Sequence, residues 1–184
     1  MTKFLRIVFT SFVLVSASLP ASGQNQGGGI PAAEITGLDA KLAKAGESAS
    51  AARKKLAIRR VIREGEALLK KHPTASNRYE ALGVLFRSQQ ALVSLDNSTT
   101  NRKAFLETSK KLAAAPNEYA ALRLDADLLL TQAESARKGA DSHARSDALR
   151  PLVERYRDTD VEPKVIRIAM ILSLIHISEP TRPY

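Results

Sequence analysis

The sequence contains no cysteine and no tryptophan, and aromatic residues make up only 5% of it. Without thiols, the chain can form no disulfide, no thiol nucleophile and no cysteine-ligated metal site, so its fold must rest on its core alone. The β-branched and aromatic residues that fill strands are sparse beside Ala, Leu, Lys, Arg, Glu and Gln, which lose least entropy on entering a helix. At 44% hydrophobic and 26% charged over 184 residues, the composition predicts one all-α domain of about five or six helices.

Long apolar runs are also lacking. Near the N-terminus Ile7 to Val15 is apolar, well short of the roughly 20 residues a transmembrane helix needs. Lys3 and Arg6 precede this run and Ala21-Ser22-Gly23 follows it, the pattern of a secretory signal with a small-residue cleavage site. Residues 1–23 are therefore expected to be removed, giving a periplasmic or secreted chain that starts at about Gln24, with no transmembrane helix. The next segment, QNQGGGIP, predicts a flexible linker over residues 24–33, because consecutive glycines are costly to order.

Motifs that carry chemistry are missing as well. No GxGxxG, GxxxxGK[ST] or GxSxG occurs, so phosphate cradles and a nucleophile elbow have no support. His72 and His143 stand far apart without metal-ligand spacing. Glu64 with Glu66, and Asp125 with Asp127, are two positions apart and do not share a helix face; the two aspartates read as solvent-exposed interruptions of a Leu-rich segment. The expectation is no catalytic, cofactor-binding or metal-binding residue, no cofactor and no enzymatic activity in this stretch of chain.

What is present is helical periodicity. After a weak helix from Ala32 to Ala45, a strong one is predicted over Ala51–Lys71, with Ile58, Val61, Ile62, Leu68 and Leu69 on one face. Lys70 and Lys71 suit its C-terminal dipole, and Pro73 blocks continuation. A second strong helix is expected over Asn77–Leu95, capped by Ser76, with a stripe of Tyr79, Leu82, Leu85, Phe86, Leu92 and Val93. A turn over Asp96–Thr100 holds the triplet Asn97-Ser98-Thr99, a glycosylation sequon read here as accidental. Further helices are expected over Arg102–Ala114, around Phe105, Leu106 and Leu112, and from an Asn117 cap to Lys138. The latter has Tyr119, Leu122, Ala126, Leu129, Ala133 and Ala136 as a narrow seam and a stop at Gly139. In Ser142–Arg157, Pro151 must kink the helix or start a shorter one, and Glu162-Pro163 opens the last, with Val165, Ile166, Ile168 and Ala169 inward.

Charge is unbalanced: the formal net charge is +9, to which Lys3 and Arg6 contribute two. Arg53, Lys54, Arg59, Arg60 and Arg63 lie along one predicted helix and are candidate contacts for an anionic envelope or lipid surface. Nucleic acid is disfavoured by the signal sequence, the scarcity of stacking aromatics and the lack of a reader motif.

The segments LLKKHPTASNRYEALGVLF, KLAAAPNEYAALRLDADLLL and LVERYRDTDVEPKVIRIAMIL share a form: a helix end, a short polar turn, then an apolar-faced helix. Pro73, Pro116 and Thr159 mark the turns at intervals of 43, which suits stacked antiparallel hairpins, with a plain antiparallel bundle as the alternative. EALLKKHPTASNRYEALGVLF resembles the tetratricopeptide-type arrays of exported bacterial proteins, although the period exceeds that family's 34 residues. The stretch ADLLLTQAESARKGADSHARSDALRPLVERYRDTDVEPKVIRIAMIL, from Ala126, resembles the helical region preceding a thioredoxin-like domain in some exported bacterial proteins. That resemblance implies a redox domain farther along the parent chain; the alternative parent is a purely helical adaptor whose concave face binds another protein. The role expected here is a non-catalytic scaffold or protein-interaction module, with protein as the main partner.

From Leu172 to Arg182 the residues LSLIHISEPTR match, codon by codon, a translation of the transposase adapter used in DNA library preparation. The helical domain is therefore expected to run over residues 34–171 and to be truncated there, with residues 172–184 foreign. His176 then has no functional meaning.

Overall fold

The computed structural model describes residues 28–139, 144 and 147–177, with side chains described as far as Ile171. The expected signal segment, the start of the linker, Ser142, His143 and the end of the tail lie outside them. Among the described residues there are α-helices and one short 3-10 turn, and no strand. The helices are α1 (Ala32–Glu47), α2 (Ala51–Lys71), α3 (Arg78–Leu95), α4 (Thr99–Ala113), α5 (Ala120–Arg137), α6 (Arg150–Arg155) and α7 (Glu162–Ile177). None is long and apolar enough to cross a membrane.

Local chemistry sets most boundaries. Ser50 and Ser98 cap α2 and α4 by accepting hydrogen bonds from the backbone N–H of Arg53 and Asn101. Serine 98, expected in a turn, thus starts α4 earlier than its apolar residues suggest. Asn117 opens the 3-10 turn Asn117–Tyr119 without a side-chain cap, and α5 begins behind it. At the other end of α5, Gly139 adopts φ 64°, the left-handed conformation glycine takes past a helix end. Pro151 sits in the first turn of α6 and starts a short helix rather than kinking a long one.

Asn77, not Ser76, stands at the start of α3, and its side chain turns away from the helix. Its Oδ1 accepts from the N–H of Ile30 at 2.8 Å, and its Nδ2 donates to the Ile30 carbonyl at 2.9 Å. Ile30, expected within a flexible linker, is consequently pinned and buried at 3% exposure.

Packing follows chain order. Helix α1 lies on α2 and α3 through Ile35, Leu38 and Ala45; α2 packs on α3, α3 on α4, α4 on α5, and α6 on α7. Among the described residues, no extensive contact joins the first helix to the last, as a closed bundle would require. Helix ends recur at fixed intervals: α2, α4 and α6 end at Lys71, Ala113 and Arg155, and α3, α5 and α7 start at Arg78, Ala120 and Glu162. Bonds between hairpins link equivalent places, for Arg155 Nη2 donates to the Ala113 carbonyl 42 positions back, and Tyr119 Oη to the Ser76 carbonyl 43 positions back. Among the described residues, successive helices pack as hairpins in chain order.

Two helices bury more than the expected stripe. In α3 the whole run Ala81–Phe86 is buried, together with Ser88, Gln89 and Leu92, because α1, α2 and α4 all cover it. In α5, Ala136 is exposed, and the buried set is Ala120, Arg123, Leu124, Ala126, Asp127 and Ser135. The seam predicted there is therefore too narrow: α5 meets α4 on one side and the C-terminal hairpin on the other.

Candidate functional site

The five basic residues singled out in the sequence do not act as one group. Lys54 Nζ donates to the Gly46 carbonyl at 3.0 Å, closing the α1–α2 turn. Arg59 and Lys55 share the carboxylate of Asp96 at 3.3 and 2.5 Å. The Lys55 hydrogen bond, aided by the charge of Arg59, holds Asp96 below the ordinary aspartate range. Arg53, Arg60 and Arg63 instead stand exposed on the outer side of α2.

That outer side forms a straight line. Arg53, Leu56, Arg60, Arg63, Ala67 and Lys70, spaced 3-4-3-4-3, are all exposed, and Ile58, Val61, Gly65 and Leu68 are buried on the opposite face. Leu56 is 60% exposed within this basic row. Sequence reasoning left Leu56 unassigned, outside the inward set, although its offset from Ile58 and Val61 marks it as outward.

A second polar cluster lies inside the protein. Tyr156, fully buried, donates to Asp127 Oδ2 at 2.7 Å and accepts from Arg123 Nε at 3.2 Å. Arg123 also stacks on the Tyr156 ring at 4.8 Å and donates through Nη1 to the Ala115 carbonyl at 3.1 Å. Arg155 completes the cluster by donating from Nη1 to Asp127 Oδ1 at 3.0 Å. Burial, then the Asp127 hydrogen bond, raises the Tyr156 phenol well above its ordinary range. Asp127, expected in solvent, is 5% exposed; Asp125 alone faces outward, paired with Lys164 at 3.1 Å. Arg123 and Asp127 stand four apart on one helix face, the spacing that could have revealed the pair.

One donor of the cluster, the buried Arg123 Nη2, has no hydrogen-bond partner among the described residues. Each acidic and phenolic oxygen faces a protein donor, and Arg123, Asp127 and Tyr156 are all at least nine-tenths buried. The cluster ties α4, α5 and α6 together. Among the described residues no group of three His, Asp or Glu side chains could hold a metal ion. His72 ends α2, its N–H donating to the Leu68 carbonyl. The α1–α2 groove, about 460 Å³, is crossed by the Lys41–Glu64 ion pair.

The last helix offers a different surface. Val165 is buried and Ile168 packs against the core, but Ile166, expected inward, is 40% exposed, with Met170 at 59% and Ile171 at 51%. These three line a shallow groove of about 550 Å³ with Glu162, Pro163 and Arg167. Helix α7 then continues without interruption to Ile177, past the adapter-like junction at Leu172.

Comparison with protein-family models, with curated proteins and with solved structures finds no match. Geometry and sequence chemistry therefore carry the functional argument.

Proposed function

We propose that this chain is a non-catalytic helical scaffold, a protein-interaction module of an exported bacterial protein, whose open end is the outer face of α7. The observation that carries the reading is the exposed row Ile166, Met170 and Ile171 on the terminal member of a hairpin stack. In such a stack each hairpin cannot bury its apolar face alone and the next one completes its core. Inner helices such as α3 are covered on several sides, whereas α7 presents apolar side chains outward. The occupant that fits is a further amphipathic helix hairpin from the parent protein. Enzymatic activity, where the parent has any, belongs to another part of it.

A second reading rests on the resemblance of the stretch from Ala126 to helical regions that precede thioredoxin-like domains. In that case the α7 face seats the first element of a redox domain. The catalytic cysteines would then lie outside this cysteine-free chain.

Sequencing the source DNA across the codon for Ile171 tests both. A reading frame that departs from LSLIHISEPTR into another helical hairpin supports the scaffold. Entry into a domain bearing Cys-x-x-Cys supports the second reading. Finding the tail intact in the source DNA removes the basis of both.

A further inference from the structure

The outer row of α2 is unused by the fold. Of the eight basic side chains on this helix, Lys54 closes a turn, and Lys55 and Arg59 hold Asp96. Arg53, Arg60 and Arg63 make no ion pair or side-chain hydrogen bond among the described residues. Of the two carboxylates on α2, Glu64 pairs with Lys41, and the exposed Glu66 flanks the row, three residues after Arg63 and four before Lys70, leaving the Arg53–Arg60 stretch around Leu56 without an acid on this helix. From Arg53 to Lys70 the row extends about 25 Å along the helix at 1.5 Å per residue. Its one large apolar side chain, Leu56, lies between Arg53 and Arg60 and is 60% exposed.

We infer that this row docks the protein on an anionic phospholipid bilayer, with α2 lying parallel to the surface. Arg53, Arg60, Arg63 and Lys70 meet lipid phosphates, and Leu56 enters the acyl boundary between them. Two features select lipid over other polyanions. An exposed leucine amid guanidinium groups gains from hydrocarbon but nothing from a nucleic acid or polyphosphate. The row also lacks the aromatic side chains on which single-stranded bases stack. A surface helix that buries its opposite face in the protein and directs Arg and Leu outward has the arrangement of an interfacial helix. The inference concerns a face remote from α7 in sequence and stands apart from the scaffold reading.

Vesicle sedimentation of the full chain provides the test, with vesicles of phosphatidylcholine alone and with about 30% phosphatidylglycerol. Binding is expected only to the anionic vesicles, and to weaken steeply between low and physiological salt. Each of Arg53→Gln, Arg60→Gln and Arg63→Gln is expected to weaken binding about fivefold, the effect of roughly 1 kcal/mol per basic residue near such a surface. Leu56→Ser should weaken vesicle binding by about tenfold while leaving binding to soluble polyphosphate unchanged. Because the apolar N-terminal stretch is present in every variant, these differences report the row itself. Circular dichroism melting checks that each variant remains folded, as solvent-facing positions should allow. No binding at low salt, equal binding by the triple Arg→Gln variant, or a Leu56→Ser variant that binds vesicles as well as the parent would each overturn the inference. Vesicle binding that polyphosphate competes away and that Leu56→Ser leaves undiminished would reassign the row to soluble polyanions.

Discussion

The phenol of Tyr156 donates a 2.7 Å hydrogen bond to Asp127, 29 residues earlier in the chain, and so fastens α6 to α5 inside the protein. Removing the donor by Tyr156→Phe should lower stability by about 1–3 kcal/mol, because the buried carboxylate loses a partner. Asp127→Ala should cost at least as much, about 2–3 kcal/mol, since it leaves the buried Tyr156 hydroxyl without its acceptor and Arg155 without its ion-pair partner. Urea unfolding with a common m-value gives both figures, and a neutral Asp127→Ala would contradict the clamp.

Asn77 is expected to govern the entry into α1. Its amide makes both hydrogen bonds to the backbone of Ile30, so Asn77→Ala should destabilise by about 1–2 kcal/mol. Hydrogen exchange at the Ile30 amide should rise in the variant, with α5 amides changing less.

Two glycines give unequal forecasts. A Cβ on Gly65 would meet Leu85 at 3.8 Å, an ordinary contact, whereas one on Gly83 would lie 3.0 Å from Leu122. Gly65→Ala should therefore stabilise α2 by about 0.5–1 kcal/mol. Gly83→Ala should gain less, because the half-buried Leu122 must shift to admit it; thermal melts of the two variants make the comparison.

Glu134 predicts an acid dependence. Its hydrogen bond from Arg137, with Lys138 adding to it, lowers its pKa from 4.5 to about 2. A folded-state pKa below the unfolded one gives stability that is present above pH 4.5 and fades as the pH falls towards 2. Because the carboxylate is fully exposed, the effect should be small and suppressed by salt. Subtracting the stability–pH profile of Glu134→Gln from that of the parent isolates it.

The helices themselves were legible because their signals are local. Ala51–Lys71 and the stop at Gly139 follow from apolar spacing, a blocking proline and a permissive glycine. Side chains whose partners are distant in sequence were not legible. Asp127 looks like a surface acid until Tyr156 and Arg155 fold back over it, and Ile30 looks like linker until Asn77 holds it. The basic row was visible as composition, but its division into structural and free members depends on Asp96, from the far end of α3. Helix α3 likewise shows a stripe in sequence, and only the arrival of α1 and α4 explains its burial all round.

The central claim, that the outer face of α7 is an interface, is tested most directly by photo-crosslinking. A benzoylphenylalanine placed at Met170 in the parent protein, recovered from source DNA and expressed whole, should crosslink to an amphipathic helix encoded beyond Ile171, and Met170→Glu should lower the parent's melting temperature. A parent in which position 170 forms no crosslink and Met170→Glu leaves stability unchanged would show that this apolar face is solvent-exposed in the native protein, contrary to the account.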